Sequence, residues 1–356
     1  MNATQALHDL GQSLWLDNIT RRMLDEGVIE RYIETHSVTG LTSNPSIFDN
    51  AIATGDYDAS IRSNEPGRSS EEIFFDLAIS DLQRAADLFA PVHERTDGVD
   101  GWVSLEVSPL LAYDTAATVA AATALHARAD RANLFIKIPG TPAGLVAIEE
   151  CIANGIAINV TLLFDAAQYR AAAEAYLRGV ERRVAGGLNP AVACVASIFI
   201  SRWDTAVAAK VPAELKNRLG LAIGLEAYRT YHEVLGSARL HRLENFGARA
   251  QRLLWASTKT KDPNAPDTLY VNGLISPFTI NTMPDSTLDA FFDHGEMSPA
   301  IARDGGDCDL WLERFAAAGV DTSAVARSLQ QDGARAFSDS WTALLARIDA
   351  QRSTLS

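Results

Sequence analysis

The run Asn133-Leu134-Phe135-Ile136-Lys137-Ile138-Pro139-Gly140 sets a lysine in the middle of an apolar, strand-like segment. Only five lysines occur in the 356 residues, Lys137, Lys210, Lys216, Lys259 and Lys261, and Lys137 alone interrupts a hydrophobic run. A cationic side chain is rarely buried unless it is paired or put to use. Burial lowers a lysine's pKa, and a neutral amine is what attack on a carbonyl requires. Bringing the group from about 10.4 to near 7 costs about 4 to 5 kcal/mol, which an apolar strand can supply. A lysine near a strand end can equally snorkel to solvent, and the run alone does not separate the two readings.

Period two places Asn133, Phe135 and Lys137 on one face, with Leu134, Ile136 and Ile138 on the other. The same parity recurs on both sides of this run. In residues 101–108, Val103, Leu105 and Val107 oppose Trp102, Ser104, Glu106 and Ser108; in 155–164, Ile156, Ile158, Val160 and Leu162 oppose Ala157, Asn159 and Thr161. Further strand-like runs at 13–18, 38–46, 191–200, 252–257 and 268–275 bring the number to eight. Helical patterns lie between most of them, including one opened by Ser69-Ser70-Glu71-Glu72 in capping style and one capped by Asp165. This alternation predicts an α/β fold, a (β/α)8 TIM barrel. An open doubly wound sheet uses the same alternation, but no G-x-G-x-x-G follows the first strand, and polar residues recur at the C-terminal strand ends. The expectation is one barrel domain over residues 1–356, with an added N-terminal helix and extra C-terminal helices around 286–356. The last of these, near 322–350, is expected to pack on the barrel.

A formal charge of -14 and a pI of about 4.9 argue against a nucleic-acid surface and against an anionic membrane. Cys151, Cys194 and Cys308 are far apart and without a C-x-x-C pair, as expected of reduced structural thiols. With no signal-like N-terminus and no long apolar run, a cytoplasmic location is expected. The seven histidines form neither H-x-H nor H-E-x-x-H, so neither a metal nor a cofactor is expected.

On a barrel, polar residues at strand ends converge above one pocket. Here they are Asp17, Asn44, Glu106, Lys137, Asn159, Thr161, Ser197, Ser201, Arg202 and Ser257. A lysine with two carboxylates, two amides and several hydroxyls describes carbonyl chemistry through a Schiff base. Some members have plainer readings. Asp17 also fits a helix N-cap, Asn44 before Pro45 fits a turn, and Asn159 and Thr161 fit backbone satisfaction. Glu106, a carboxylate on an inward strand face, needs a partner or a task. Arg202 suits a phosphate or solvent, and the loop Ser257-Thr258-Lys259-Thr260-Lys261 adds cations and hydroxyls. Without a Walker-type glycine loop, a phosphate on a small sugar fits better than a nucleotide.

Six motifs occur in order: Trp-Leu-Asp-Asn-Ile at 15–19, Gly-Leu-Thr-Ser-Asn-Pro-Ser-Ile-Phe at 40–48, Ser-Leu-Glu-Val-Ser-Pro at 104–109, Phe-Ile-Lys-Ile-Pro-Gly-Thr at 135–141, Ile-Asn-Val-Thr-Leu-Leu-Phe at 158–164 and Ser-Ile-Phe-Ile-Ser-Arg-Trp-Asp at 197–204. With Asn-Thr-Met-Pro at 281–284, the chain resembles the transaldolases, in their long actinobacterial-like form. The resemblance implies transfer of a dihydroxyacetone unit from sedoheptulose 7-phosphate to glyceraldehyde 3-phosphate in the non-oxidative pentose phosphate pathway. It implies that Lys137 forms the imine, that Asp17 takes the C4 hydroxyl proton, and that Glu106 with Thr161 activates water. Asn44 and Asn159 would hold the three-carbon unit, while Ser197, Arg202 and Ser257 address hydroxyls and phosphate. Lys259 stands where this branch usually has glycine, which leaves the phosphate cation open between Lys259 and Lys261. The rival readings are a fructose 6-phosphate aldolase of the same superfamily, a shorter branch without the extra C-terminal helices, and a non-catalytic sugar-phosphate-binding barrel. Small phosphorylated sugars are the implied partners; homodimers occur among relatives, and nothing in the sequence marks an interface.

Overall fold

The structure is a computed structural model that describes residues 2–63 and 67–355. Eight strands close a barrel in chain order: β1 Ser13–Leu16, β2 Val38–Leu41, β3 Trp102–Glu106, β4 Leu134–Pro139, β5 Ile158–Leu163, β6 Cys194–Phe199, β7 Arg252–Ala256 and β8 Ile280–Met283. Every neighbouring pair is parallel, and β1 pairs with β8 to complete the ring. Helices link the strands and cover the outside, so each strand must be apolar on its outward face.

Seven strands fall where alternation places them; the eighth does not. Residues 268–275 contain the short helix Leu269–Gly273, and β8 lies in the following stretch, where a loop is expected from the sequence. The buried residues Tyr270, Val271, Leu274 and Ile275 recur at helical rather than alternating spacing. β8 has only four residues, two of them polar, too few for its period to stand out.

Two apolar layers follow from the parity. Val103, Leu105, Leu134, Ile136, Ile138, Ile158 and Val160 pack outward against the helices. Trp15, Trp102, Phe135, Ala157, Val195, Leu254 and Ile280 fill the barrel. Trp102 stacks on Phe135 with ring centres 4.0 Å apart. Gly40 makes room for this filling, since a Cβ there would stand 2.6 Å from the Trp15 indole. Leu162 breaks the expected pattern. It has φ +57°, and the β5–β6 register shifts between Val160 and Leu163. One inserted residue reverses a period of two. Leu162 therefore joins Phe164 and Phe199 in the inner cluster, and Leu163 takes the outward place.

The C-terminal helix Thr322–Leu355 packs on the barrel, as expected. Trp341, Leu344 and Ile348 meet the outer core, where Trp341 lies edge-on to Phe74, while Ala326, Ala334 and Phe337 reach the inner cluster.

Candidate active site

Above the apolar filling, the inward positions turn polar. β3 and β4 place Glu106 directly beside Lys137, and β4 and β5 place Lys137 beside Asn159. Lys137 and Glu106 are each 6% exposed. The Lys137 ammonium donates to the Ser43 carbonyl at 2.9 Å and stands 3.3 Å from Glu106 Oε2. Burial raises the Glu106 carboxyl above its ordinary pKa; the Lys137 charge opposes this and the Asp17 charge adds to it.

Asp17 follows the end of β1 and is not a helix cap: Thr20 caps the helix Arg21–Asp25 through Met23 N. Asp17 instead accepts from Thr42 Oγ1 at 2.8 Å, and Thr42 is 2.7 Å from Thr282 Oγ1. Desolvation raises the Asp17 pKa, while Lys137 and the Thr42 hydrogen bond pull it down. A carboxylate so placed is a stronger base than one in water.

Asn159 is held by side chains rather than by backbone. Its Nδ2 donates to Ser104 Oγ at 3.2 Å, and its Oδ1 accepts from Ser197 Oγ at 2.8 Å. Thr161 is buried, and its hydroxyl has no hydrogen-bond partner among the described residues. An orphan of this kind is costly unless a ligand or water meets it. Asn44 is a helix cap rather than the turn residue expected from the following proline. Its Oδ1 caps the helix Pro45–Ala53 through Ile47 N at 3.0 Å, and the residue still lines the cavity.

A cationic end lies across the mouth. The Arg202 guanidinium carbon is 5.1 Å from the Phe199 ring centre and 6.0 Å from that of Phe337, and no carboxylate pairs with it among the described residues. Burial lowers its pKa. Lys259 donates to Ser286 Oγ at 3.2 Å. Lys261 is lowered first by desolvation, then by the charges of Lys259 and Arg202. Ser257, with φ +56° just beyond β7, brings its hydroxyl 3.0 Å from that of Ser201. Three cations that no carboxylate pairs with among the described residues, set beside hydroxyls, are suited to an anion.

These groups surround a cavity of about 140 Å³ at the C-terminal end of the barrel. A larger one, about 530 Å³, opens at the other end, lined by residues such as Val99, Trp102, Phe135 and Phe278. Its arginines are already engaged, Arg252 with Asp100 and Ser13, Arg249 with Asp97. The lysine, carboxylate, amide and hydroxyl groups expected from the sequence gather at the smaller cavity. Among the described residues, no group of three His, Cys, Asp or Glu side chains is arranged to hold a metal.

A family model described as Transaldolase/Fructose-6-phosphate aldolase matches residues 14–348. The chain belongs to this family. Proteins named transaldolase from Thermobifida fusca and Thiobacillus denitrificans are 45% and 44% identical to it, each over 98% of this chain and over 97% and 100% of their own lengths. One from Mycobacterium tuberculosis is 41% identical over 98% of this chain and 97% of its own.

Of the residues expected from the sequence of this transaldolase-family protein, Asp17, Asn44, Lys137, Thr161, Ser197, Arg202, Ser257, Lys259 and Lys261 line the cavity. Glu106, Asn159 and Ser201 do not; they contact Lys137, Ser197 and Ser257, which do. Sequence reasoning missed Thr42, Ser43, Phe199, Thr282 and Phe337. Thr42 and Ser43 sit beside Asn44 at the end of β2, and their position was the available signal. Thr282 was hidden by the misplaced eighth strand. Phe337 belongs to a helical stripe with Ala334, Trp341 and Leu344 that reads as ordinary core.

Proposed function

We propose that this transaldolase-family enzyme transfers a dihydroxyacetone unit from sedoheptulose 7-phosphate to glyceraldehyde 3-phosphate through a Schiff base on Lys137. The observation that carries the assignment is a buried amine 3.3 Å from a buried carboxylate, at the end of the barrel where catalytic groups collect.

In this reading the Lys137 amine attacks the ketose C2 carbonyl, and the carbinolamine loses water to give an iminium. Asp17 takes the proton of the C4 hydroxyl. The C3–C4 bond then breaks, its electron pair passes into the iminium, and erythrose 4-phosphate departs. The remaining enamine carbon attacks the acceptor aldehyde, Asp17 returns its proton to the new alkoxide, and water hydrolyses the iminium to release fructose 6-phosphate. Glu106 and the Thr161 hydroxyl, which has no partner among the described residues, handle the water that leaves and returns. Asn44 and Asn159 retain the three-carbon unit between the two halves. Arg202, Lys259 and Lys261, with the Ser257 hydroxyl, hold the phosphate, as three cations that no carboxylate pairs with among the described residues support.

Reduction with borohydride in the presence of fructose 6-phosphate tests this reading. A three-carbon adduct mapped by mass spectrometry to Lys137, and lost in Lys137→Ala, is expected; no adduct in the wild type overturns it. The rival reading, a fructose 6-phosphate aldolase, releases dihydroxyacetone without an acceptor. Turnover that requires erythrose 4-phosphate as acceptor separates the two, and the full-length match to proteins named transaldolase favours the transferase. No helix among the described residues is long and apolar enough to cross a membrane. A cytoplasmic enzyme of small phosphorylated sugars, with no nucleic-acid partner, fits the net charge of -14.

A further inference from the structure

We propose that Gln330, on the C-terminal helix, is a positioning residue for the reaction, clamping the ends of β4 and β5 so that the Thr161 hydroxyl faces Lys137. This rests on the reading of Lys137 as the imine-forming lysine.

One side-chain nitrogen makes both contacts. Gln330 Nε2 donates to the Gly140 carbonyl at 3.0 Å and to the Leu162 carbonyl at 2.9 Å. Gly140 is three residues beyond Lys137, at the end of β4, and Leu162 directly follows Thr161 on β5. The two segments already meet there through Gly140 N and the Thr161 carbonyl at 2.8 Å. At Leu162 the backbone turns to φ +57° and the ladder to β6 slips by a residue. A strand interrupted in this way needs donors from outside the sheet, and the glutamine amide is one.

The helix face that carries Gln330 is shaped to the site. Gly333 follows three positions later, where a Cβ would lie 2.9 Å from Leu162 Cδ2 and 3.3 Å from Arg202 Nη1. Phe337, seven positions on, lines the cavity and lies against Arg202. Residues at these spacings share a face, so one helix borders both the imine end and the anion end. Thr161 is where the clamp matters most. Its hydroxyl is buried and has no partner among the described residues, so none of their side chains fixes it; the backbone on either side has to.

Two isosteric variants test the proposal. Gln330→Met removes both donors and is expected to lower kcat roughly 10- to 100-fold, the scale of a small misplacement of reacting groups, with KM for fructose 6-phosphate within about two-fold because the anion end is untouched. The rate of borohydride-trapped adduct formation on Lys137 falls in parallel. In Gln330→Glu the ionised carboxylate donates to neither carbonyl, whereas the acid form donates to one. Its kcat, relative to that of Gln330→Met at each pH, is therefore expected to rise as the pH falls, a recovery that a residue acting only through packing does not produce. A kcat within two-fold of wild type in Gln330→Met, or a rise in KM alone, overturns the proposal, as does a pH-independent ratio of the two variants. If Gln330→Met does not fold, the proposal is decided by Gln330→Glu alone: the same recovery in its kcat relative to wild type supports it, and a flat ratio overturns it. Absence of any adduct in the wild type overturns the Lys137 reading instead, and with it the clamp.

Discussion

Glu106 and Lys137 face each other in register across β3 and β4, with Oε2 3.3 Å from Nζ and both side chains buried. Among the described residues this oxygen has no hydrogen-bond partner, and the Lys137 ammonium is the cation paired with it. A buried pair with so little further support is poorly suited to stabilise the fold and well suited to exchange a proton.

Glu106→Gln keeps the shape and removes the charge. Loss of general acid–base assistance is expected to lower kcat by about 10²- to 10⁴-fold, with KM changed little. Steady-state kinetics check this; a loss below ten-fold removes Glu106 from proton transfer.

Desolvation raises Asp17 above its ordinary pKa. A carboxyl whose folded pKa lies above its unfolded value contributes stability that is fully present below the unfolded pKa and lost as the pH rises through the folded one. Asp17→Asn keeps an acceptor for Thr42 and abolishes the ionisation. The variant is expected to gain in Tm over the wild type as the pH rises from about 4 toward neutrality, while its turnover falls. A Tm difference that is constant with pH contradicts the burial argument.

Lys259 and Lys261 are separable at the anion end. Burial lowers Lys261 first and the charges of Lys259 and Arg202 lower it further, whereas Lys259 is engaged by Ser286. Lys261→Met is expected to raise KM for the phosphorylated ketose about 10-fold or more, the scale of a charge-assisted hydrogen bond. Lys259→Met should raise it less than about five-fold. Removing the Lys259 charge favours protonated Lys261, so the alkaline rise in KM moves to higher pH in Lys259→Met. A shift to lower pH, or the opposite ranking of the two variants, refutes this division.

Gly40→Ala tests the floor of the site. The new Cβ would lie 2.6 Å from the indole of Trp15, which is buried and bonded to Asp100 at 3.0 Å. Overpacking of this kind is expected to cost about 1 to 3 kcal/mol, read as a lower urea midpoint. An unchanged midpoint would show that Trp15 can move aside.

The inward residues of β3, β4 and β5 were legible because helices cover the outer face of each strand, which enforces alternation. That placed Glu106, Lys137, Asn159 and Thr161 together before any distance was known. Alternation failed at Leu162, where one inserted residue reverses the parity, and at 268–275, where a helical stripe of four apolar residues passed for a strand. Asn44 was expected as a turn residue or a substrate contact; its oxygen caps a helix instead of a turn, while the residue lines the cavity.

By itself the sequence determined the barrel and the chemical types at its mouth, because a two-residue period and a lone lysine in an apolar run are local properties of the chain. Tertiary structure alone decided what each of those groups meets. The Ser43 carbonyl on Lys137, the Thr282–Thr42–Asp17 chain and the Gln330 bonds to Gly140 and Leu162 join residues up to 240 positions apart. Such contacts arise from closure of the sheet between β1 and β8 and from the docking of the last helix, and no local period encodes them.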